Sequence, residues 1–291
     1  MTVQLKNIKR TIMSLRILIT GAKGFLGQHV LKMIKQKGYE VVSLVRRVGA
    51  THYESEKVYD ALDRLVKEEP HFDVIFHLAA AIPNDKADKP STDFISSNIH
   101  LTSSLALHYP EAKVVFASSI SVYGDPVSLP ITIHSSFNNP SHYGLSKLAG
   151  EAVIGNLNRY AIIRFTSIIG CGMTQNTFVN HVIDGAKKGL ILIYGDGSRQ
   201  QNYIDVRDAA ELCMKIAVQE KSSSLLGVSS TSFSNLEVAK IAAEATGAEI
   251  KLTGEDRSRS YLYDVENSYQ SIDFEPVFLL KQTIQDMIRY E

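Results

Sequence analysis

The chain has 291 residues, with 31 lysines and arginines and 31 aspartates and glutamates, so its formal net charge is zero. This balance argues against general electrostatic binding of nucleic acid, which needs an excess or a patch of positive charge. Apolar residues make up 44% of the chain, as in ordinary globular proteins, which excludes a wholly disordered or fibrous chain.

We expect neither a membrane span nor a secretory signal peptide. No uncharged apolar run approaches the roughly 20 residues needed to span a bilayer, and the run at residues 15–20 is too short for a signal peptide. The two cysteines, Cys171 and Cys213, lie far apart in sequence, which fits a reducing compartment. We therefore expect a cytoplasmic protein, in which residues 1–14 form a disordered extension.

Residues 15–170 alternate short apolar runs with stretches of helical pattern. The runs lie at residues 16–20, 40–45, 73–78, 113–117 and 160–164. Such runs, separated by helices, are typical of parallel strands buried on both faces. They predict an α/β fold with a doubly wound parallel sheet of the Rossmann type.

The sequence pattern changes after residue 170, where clusters of turn-forming residues appear at 195–198 and 221–224. We therefore predict a first domain over residues 15–170. A smaller α/β lobe follows over residues 171–291, with some exchange of strands and helices between the two.

A glycine loop joins the first apolar run to the first helical pattern, with Gly21, Gly24 and Gly27 at equal spacing. Glycine permits a tight turn and lets the backbone approach a pyrophosphate closely. The N-terminus of the following helix then stabilises the negative charge of the pyrophosphate. The loop therefore predicts a dinucleotide site in the first domain. The residues expected to contact the cofactor here are Gly21, Gly24, Phe25, Leu26 and Gly27.

The spacing Gly-x-x-Gly-x-x-Gly, with Phe25 after the second glycine, resembles the extended short-chain dehydrogenase/reductase family. That family includes nucleotide-sugar epimerases, dehydratases and 4-ketoreductases. The resemblance covers roughly residues 15 to 290. It implies a dinucleotide-binding first domain and a substrate-binding second lobe.

The end of the second apolar run bears on the choice of cofactor. A carboxylate there normally binds the ribose hydroxyls of NAD, whereas a cation accommodates the 2′-phosphate of NADP. Here the run ends in Arg46 and Arg47 with no acid within several residues, so Arg46 favours NADP, with NAD as the alternative. The resemblance also implies that Asp60 and Ala61 lie near the adenine.

Tyr143 and Lys147 are four residues apart and so share one face of a helix. A nearby cation favours phenolate and lowers the pKa of a tyrosine, which could then exchange a proton with a substrate hydroxyl. The resemblance adds that Lys147 holds the nicotinamide ribose. It also implies that Ser119, four residues before the Tyr123–Gly124 pair, is catalytic and binds the substrate oxygen.

Other segments match the family and extend the implied cofactor site. The apolar segment around Leu78, Ala79 and Ala80 resembles the cofactor-lining end of the fourth strand. Asn98 matches a residue that braces the active site, and Thr166 matches one near the nicotinamide.

Departures from the family pattern exclude one of the family's activities. The dehydratases carry two carboxylates directly after the catalytic position, where this chain has Ile120 and Ser121. Because elimination of water needs an acid and a base there, we reject a dehydratase.

The expected substrate contacts also depart from the pattern. The family usually has Asn at the position of Ser167, and at the position of Gln201 an Arg that clamps the nucleotide diphosphate. A neutral amide cannot replace a bidentate arginine on phosphate. Either Arg257 or Arg259 takes over this role, or the substrate is not an ordinary nucleotide-diphosphate sugar. The substrate-binding residues expected are therefore Ser119, Ser167, Gln201, Arg257 and Arg259.

The nine histidines are scattered, so we expect no metal site, and His77 is assigned to packing. The family commonly forms dimers through helices that correspond to residues 98–108 and 143–157, which implies a homodimer. No partner in a membrane or nucleic acid is expected.

The leading hypothesis is an NADP-dependent reductase of a 4-keto-6-deoxy nucleotide sugar, with Tyr143 as proton donor. The alternatives are an NAD-dependent nucleotide-sugar 4-epimerase and a reductase of a non-sugar carbonyl. From another class comes a cofactor-sensing protein that has lost turnover. Since a fold does not fix a function, these readings rest on analogy.

Overall fold

The computed structural model describes residues 15–46, 57–83, 91–264, 269 and 272–290. The predicted extension at residues 1–14, and Arg47, lie outside the described residues. The chain forms two compact units. Unit 1 comprises Met1–Gly124, Asn139–Arg164 and Ala210–Leu225, and unit 2 comprises Asp125–Asn138, Phe165–Ala209 and Leu226–Glu291.

A seven-stranded sheet forms the centre of the fold, with strand order β10-β6-β5-β4-β1-β2-β3. Its strands are β1 (Arg16–Thr20), β2 (Glu40–Leu44), β3 (Lys57–Tyr59), β4 (Val74–His77), β5 (Lys113–Ser119), β6 (Tyr160–Phe165) and β10 (Ser223–Gly227). Strand β1 pairs in parallel with both β2 and β4, and the strand order reverses there. The predicted doubly wound parallel sheet is confirmed, and its switch point lies at β1.

Helices connect the strands, and the first of these helices has the amphipathic pattern predicted for residues 28–37. They are α1 (Phe25–Gln36), α2 (Leu62–Glu68), α3 (Leu101–His108), α4 (His142–Ile154) and α6 (Val206–Ala217). Helix α1 buries Val30, Leu31 and Ile34 at helical spacing. A π-helical segment, Phe94–His100, precedes α3, and a 3₁₀ helix, Ile120–Tyr123, follows β5.

Unit 2 contains two small sheets. One has the order β11-β9-β7 and the other pairs β12 with β8. Their strands are β7 (Ser167–Ile169), β8 (Leu190–Tyr194), β9 (Gln200–Asp205), β11 (Ser232–Ser234) and β12 (Glu249–Thr253), and the remaining helices are α5 (Phe178–Lys187), α7 (Asn235–Thr246) and α8 (Leu280–Arg289). Helix α7 begins with a capping box between Ser234 and Glu237.

Among the described residues, no helix combines the length and the apolar character needed to cross a bilayer.

Candidate active site

The glycine loop after β1 is packed so tightly that a side chain does not fit at Gly21 or at Gly27. Gly21 has a φ of +74°, and a Cβ there would lie 2.6 Å from the backbone nitrogen of Ala79. A Cβ on Gly27 would lie 2.0 Å from the carbonyl oxygen of Gly21, and one on Gly24 would lie 3.1 Å from the same oxygen. Gly21 and Gly27 therefore allow the sharp turn that brings α1 up to the end of β1.

The residues of this loop fit a dinucleotide. Helix α1 starts at Phe25, its N-cap residue Gly24 makes no side-chain cap, and its first turn contains no acidic residue. The first N–H groups of a helix have no intrahelical acceptor. Those of Phe25, Leu26 and Gly27 can therefore donate hydrogen bonds to phosphate oxygens.

The other predicted cofactor residues follow the same edge of the sheet. The register pairs Thr20 with Leu44 and with His77 at the carboxyl ends of β1, β2 and β4, which is where open α/β sheets bind ligands. Arg46 is exposed two residues after β2 and makes no ion pair with any residue that the structure describes. Asp60 and Ala61 are likewise exposed, directly after β3.

Asn98 braces the segment that follows β4. Its Oδ1 accepts a hydrogen bond from the Ala81 backbone N–H at 2.8 Å, and its Nδ2 donates to the Ala81 carbonyl at 3.1 Å and to Ser146 Oγ at 3.0 Å. Both amide hydrogens are thus used within the protein. Asn98 therefore connects the loop of Leu78, Ala79 and Ala80 to helix α4, and its direct contact with a cofactor stays a prediction.

Ser119 and Tyr143 are brought together between the end of β5 and the start of α4. The Ser119 hydroxyl hydrogen-bonds to the Tyr143 phenol and accepts from Ser121 Oγ at 2.8 Å. A Cβ on Gly144 would lie 2.3 Å from the Ser121 carbonyl oxygen. Glycine at 144 therefore lets the helix start close enough for Tyr143 to reach Ser119.

The charge balance at Tyr143 differs from the prediction. Burial raises the pKa of Tyr143 to about 12, and the hydrogen bond from Ser119 offsets only part of that rise. The predicted lowering of this pKa by Lys147 is wrong for the protein alone, because desolvation of the phenol dominates and the group that opposes it is Ser119. Tyr143 therefore holds its proton at neutral pH, as a proton donor must.

Lys147 lies on α4 one turn after Tyr143, as its spacing predicts, and its side chain is buried. Burial lowers the pKa of Lys147 to about 7, although the negative charge of Glu151 opposes the change. Removal of the ammonium from water is the larger effect.

A buried polar cluster behind α4 was not predicted from the sequence. Glu151 forms an ion pair with Arg164 of β6 and accepts a hydrogen bond from Ser118. Arg164 also donates to the Tyr123 hydroxyl at 2.7 Å. The sequence offered one indication of this cluster, since Glu151 follows Lys147 by one helical turn.

The remaining predicted residues lie in unit 2. Thr166 is buried and donates its hydroxyl hydrogen to the Asn202 carbonyl at 2.8 Å, whereas Ser167 is exposed. Gln201 Nε2 donates to Asn235 Oδ1 at 2.7 Å. One of the two amide hydrogens of Gln201 is thereby used inside unit 2.

The two arginines offered as replacements for a diphosphate clamp both have acidic neighbours in unit 2. Arg257 Nη2 lies 2.8 Å from Glu255, and Arg259 Nε lies 3.6 Å from Asp125. Both arginines are well exposed, so neither pair is strong enough to prevent exchange for a phosphate.

No group of three or more His, Cys, Asp or Glu side chains that could hold a metal ion occurs in the described part of the chain.

Comparison with known proteins connects this geometry to one family. Residues 17–225 match the NAD dependent epimerase/dehydratase family. A putative UDP-glucose 4-epimerase of Methanocaldococcus jannaschii is 30% identical over 216 residues, which cover 67% of this chain and 71% of that protein.

Solved structures give the same picture. A UDP-N-acetylglucosamine 4-epimerase from Bacillus cereus has a TM-score of 0.81 and 26% identity, and the match covers 94% of this chain and 98% of that one. MoeE5, solved in complex with UDP-glucose and NAD, has a TM-score of 0.80 and 25% identity, with 94% and 97% coverage.

Proposed function

Because the chain belongs to the NAD-dependent epimerase/dehydratase family, we propose that it is a nucleotide-sugar 4-epimerase that works with a bound NAD. One arrangement carries the proposal, in which Ser119 hydrogen-bonds to Tyr143 and the buried Lys147 follows one helical turn later. The substrate class comes from the 4-epimerases among its relatives and structural neighbours.

Bound NAD would supply a nicotinamide that accepts a hydride from a sugar carbon and returns it. Tyr143 then acts twice, first as a base toward the sugar hydroxyl and later as an acid toward the carbonyl. Ser119 donates a hydrogen bond to the same substrate oxygen where charge develops. The glycine loop holds the pyrophosphate of the cofactor, and Lys147 its ribose.

The base step requires the pKa of Tyr143 to fall from the value of about 12 that burial sets in the protein alone. Exclusion of water by the bound ligands strengthens the attraction between a phenolate and the Lys147 ammonium. Lys147 is therefore assigned the task of stabilising the ionised form of Tyr143 in the loaded site.

A second candidate, favoured by Arg46, is an NADP-dependent 4-keto reductase. Arg46 stands exposed after β2, where a cation accommodates a 2′-phosphate. A reductase uses Tyr143 only as an acid, and the proton held by a phenol with a pKa of about 12 suits that direction.

The two functions differ in the cofactor they keep, which gives the first experiment. Freshly purified protein is denatured and any released nucleotide is identified by mass spectrometry, after which NADH and NADPH are titrated into the native protein. An epimerase is expected to release stoichiometric NAD(H). UDP-glucose and UDP-N-acetylglucosamine are then incubated with the protein and examined for their 4-epimers, with Tyr143→Phe as the inactive control.

An empty protein that prefers NADPH and forms no epimer from either sugar would overturn the epimerase. Consumption of NADPH with a 4-keto-6-deoxy nucleotide sugar would then establish the reductase. Arg46→Asp provides a matched test, because it should weaken NADPH binding by roughly 10-fold or more while sparing NADH.

The assignment of cofactor binding to unit 1 and of sugar binding to unit 2 belongs to the same proposal. Ser167, Gln201, Arg257 and Arg259 are its substrate contacts in unit 2. The homodimer and the cytoplasmic location remain predictions.

A further inference from the structure

The ring of Phe116 lies beneath the Lys147 ammonium inside unit 1. Lys147 Nζ is 4.3 Å from the ring centroid, well within the roughly 6 Å at which a ring face attracts a cation. Both side chains are almost completely buried. Because water competes little for the ammonium here, the ring face is a significant part of its surroundings.

Two neighbours hold the Phe116 ring in place. A Cβ on Gly150 would lie 2.7 Å from the ring's Cζ, so the backbone of α4 rests directly on the edge of the ring. On the neighbouring strand β4, His77 is in register with Phe116 of β5, and the two ring centroids are 5.4 Å apart. The ring therefore has little freedom to move away from Lys147.

His77 is fixed as a neutral imidazole in one tautomer, a role beyond the packing that its sequence suggests. Thr102 donates its hydroxyl hydrogen to the Asn98 carbonyl at 2.9 Å, so it accepts from Nε2–H of His77, 2.7 Å away. Thr20 Oγ1, 2.7 Å from Nδ1, is then the donor on the other side.

Protonation of His77 is strongly disfavoured. Burial, followed by the positive charge of Lys147, lowers the pKa of His77 to about 3. A neutral His77 can pack against Phe116 without placing a second positive charge near the ammonium.

We propose that Phe116 is a positioning residue for Lys147. The face of the Phe116 ring holds the Lys147 ammonium in its charged form beside Tyr143, while the neutral His77 fixes the ring. The role in proton transfer rests on the proposed function. The contact between ring and ammonium does not depend on any substrate.

The titratable and charged groups around Lys147 set the background for a test. Tyr143 and Glu151 lie on its own helix, His77 lies on β4, and Arg164 on β6 is paired with Glu151. A substitution at Phe116 removes none of these groups, so a change in the Lys147 titration reports on the ring.

The experiment replaces Phe116 with 3,5-difluorophenylalanine by site-specific incorporation. Fluorine draws charge from the ring face but preserves the shape of the ring. The pKa of Lys147 is read by NMR of its labelled ammonium in the cofactor-free full-length protein, with assignment from Lys147→Met. We expect the pKa to fall by roughly 0.5–1 unit, because the fluorines weaken but do not abolish a buried cation–π contact that is worth roughly 1.5 units in full.

The matched control places the same residue at Phe76, which is also fully buried and lies next to His77 on β4. It should leave the Lys147 titration unchanged. Phe116→Leu and Phe76→Leu repeat the comparison with natural residues. The alkaline limb of the kcat–pH profile should move to lower pH with either substitution at Phe116. It should stay in place with either substitution at Phe76.

An unchanged Lys147 titration after fluorination of Phe116, or an equal shift from Phe76, would overturn the proposal. A specific shift at Phe116 in a protein that epimerises no sugar would support the ring's effect on Lys147 and count against the proposed function alone.

Discussion

Glu151 and Arg164 form a buried ion pair, in which Arg164 Nη2 lies 2.7 Å from Glu151 Oε2 and Arg164 Nε lies 3.0 Å from Glu151 Oε1. The pair joins helix α4 to β6. Because Lys147 lies one turn before Glu151, the pair also fixes the helix face that carries the candidate catalytic residues.

Glu151→Ala should lower the free energy of unfolding by about 3–5 kcal/mol, since Arg164 would remain buried without its partner charge. Urea denaturation of wild type and variant measures the difference. The double variant Glu151→Leu/Arg164→Leu should recover most of the loss. A single-variant loss below about 1 kcal/mol, typical of an exposed pair, would contradict this account.

Tyr143→Phe should reduce kcat by roughly 10²–10⁴-fold, because it removes the group that exchanges the proton. Cofactor binding should change little, since the aromatic ring remains. Steady-state kinetics and cofactor titration measure the two effects. Tyr160→Phe, at the start of β6, serves as the control and should keep wild-type kcat; an equal loss there would indicate a general effect of removing a phenol.

Gly144→Ala tests the close approach that places Tyr143 beside Ser119. The new Cβ would lie 2.3 Å from the Ser121 backbone oxygen, so the start of α4 must move. We expect a loss of stability of about 1–3 kcal/mol and a fall in kcat of roughly 10-fold or more, since small misplacements are costly.

The control for Gly144→Ala is Gly155→Ala at the other end of the same helix. A Cβ at Gly155 would lie 3.1 Å from Glu151 O, which a small adjustment can relieve. If both variants lose kcat to the same extent, the contact with Ser121 is not the reason.

Lys147→Met should stabilise the cofactor-free protein while abolishing catalysis. The folded site lowers the pKa of Lys147 from 10.5 to about 7, so the charged lysine favours the unfolded chain. The penalty is full below pH 7 and vanishes as the pH rises through 10.5. We expect a gain of roughly 2–4 kcal/mol near pH 7.

Urea unfolding at several pH values between 6.5 and 10 measures this gain, which should shrink as the pH rises. Lys32→Met, on the exposed face of α1, is the control and should change stability little at any of these pH values. A pH-independent difference for Lys147→Met would show that desolvation of its charge is not the cause.

Glu69→Gln should reduce stability in unit 1 and flatten its acid dependence. Burial tends to raise the pKa of Glu69, but hydrogen bonds from Lys57, Tyr59 and Arg16 outweigh it and lower the pKa. The carboxylate therefore stabilises the fold above its ordinary pKa of 4.5, and this contribution is lost as the pH falls below that value.

The expected loss for Glu69→Gln is about 1–3 kcal/mol at pH 7, because the buried carboxylate no longer accepts charge-assisted hydrogen bonds from the part-exposed Arg16 and the exposed Lys57. Thermal unfolding between pH 3 and 7 should show a smaller decline for the variant than for wild type. The exposed Glu68→Gln is the comparison, and a decline as steep as that of wild type in Glu69→Gln would contradict the assignment.

Features encoded by local spacing were readable from the sequence. Gly21, Gly24 and Gly27 mark a turn and helix start through neighbours on the chain itself, and Tyr143 and Lys147 share a helix face through their separation. The doubly wound sheet followed from the order of apolar runs for the same reason.

Features set by strand register were not readable in this way. Glu151 meets Arg164, and His77 meets Phe116, only because particular strands and helices pack side by side. The pKa of Tyr143 was predicted with the wrong sign because spacing reveals a nearby cation but not the burial that raises the pKa.

Unit 1 takes described residues from three stretches of chain, and the last, Ala210–Leu225, contributes to strand β10, the neighbour of β6 at the margin of the main sheet. During translation, the glycine loop and Tyr143 therefore leave the ribosome well before β10 does. In that interval β6 presents unpaired backbone groups, which can recruit another nascent chain. A ribosome that pauses after β6 has emerged and before β10 has emerged would thus prolong the period of aggregation risk.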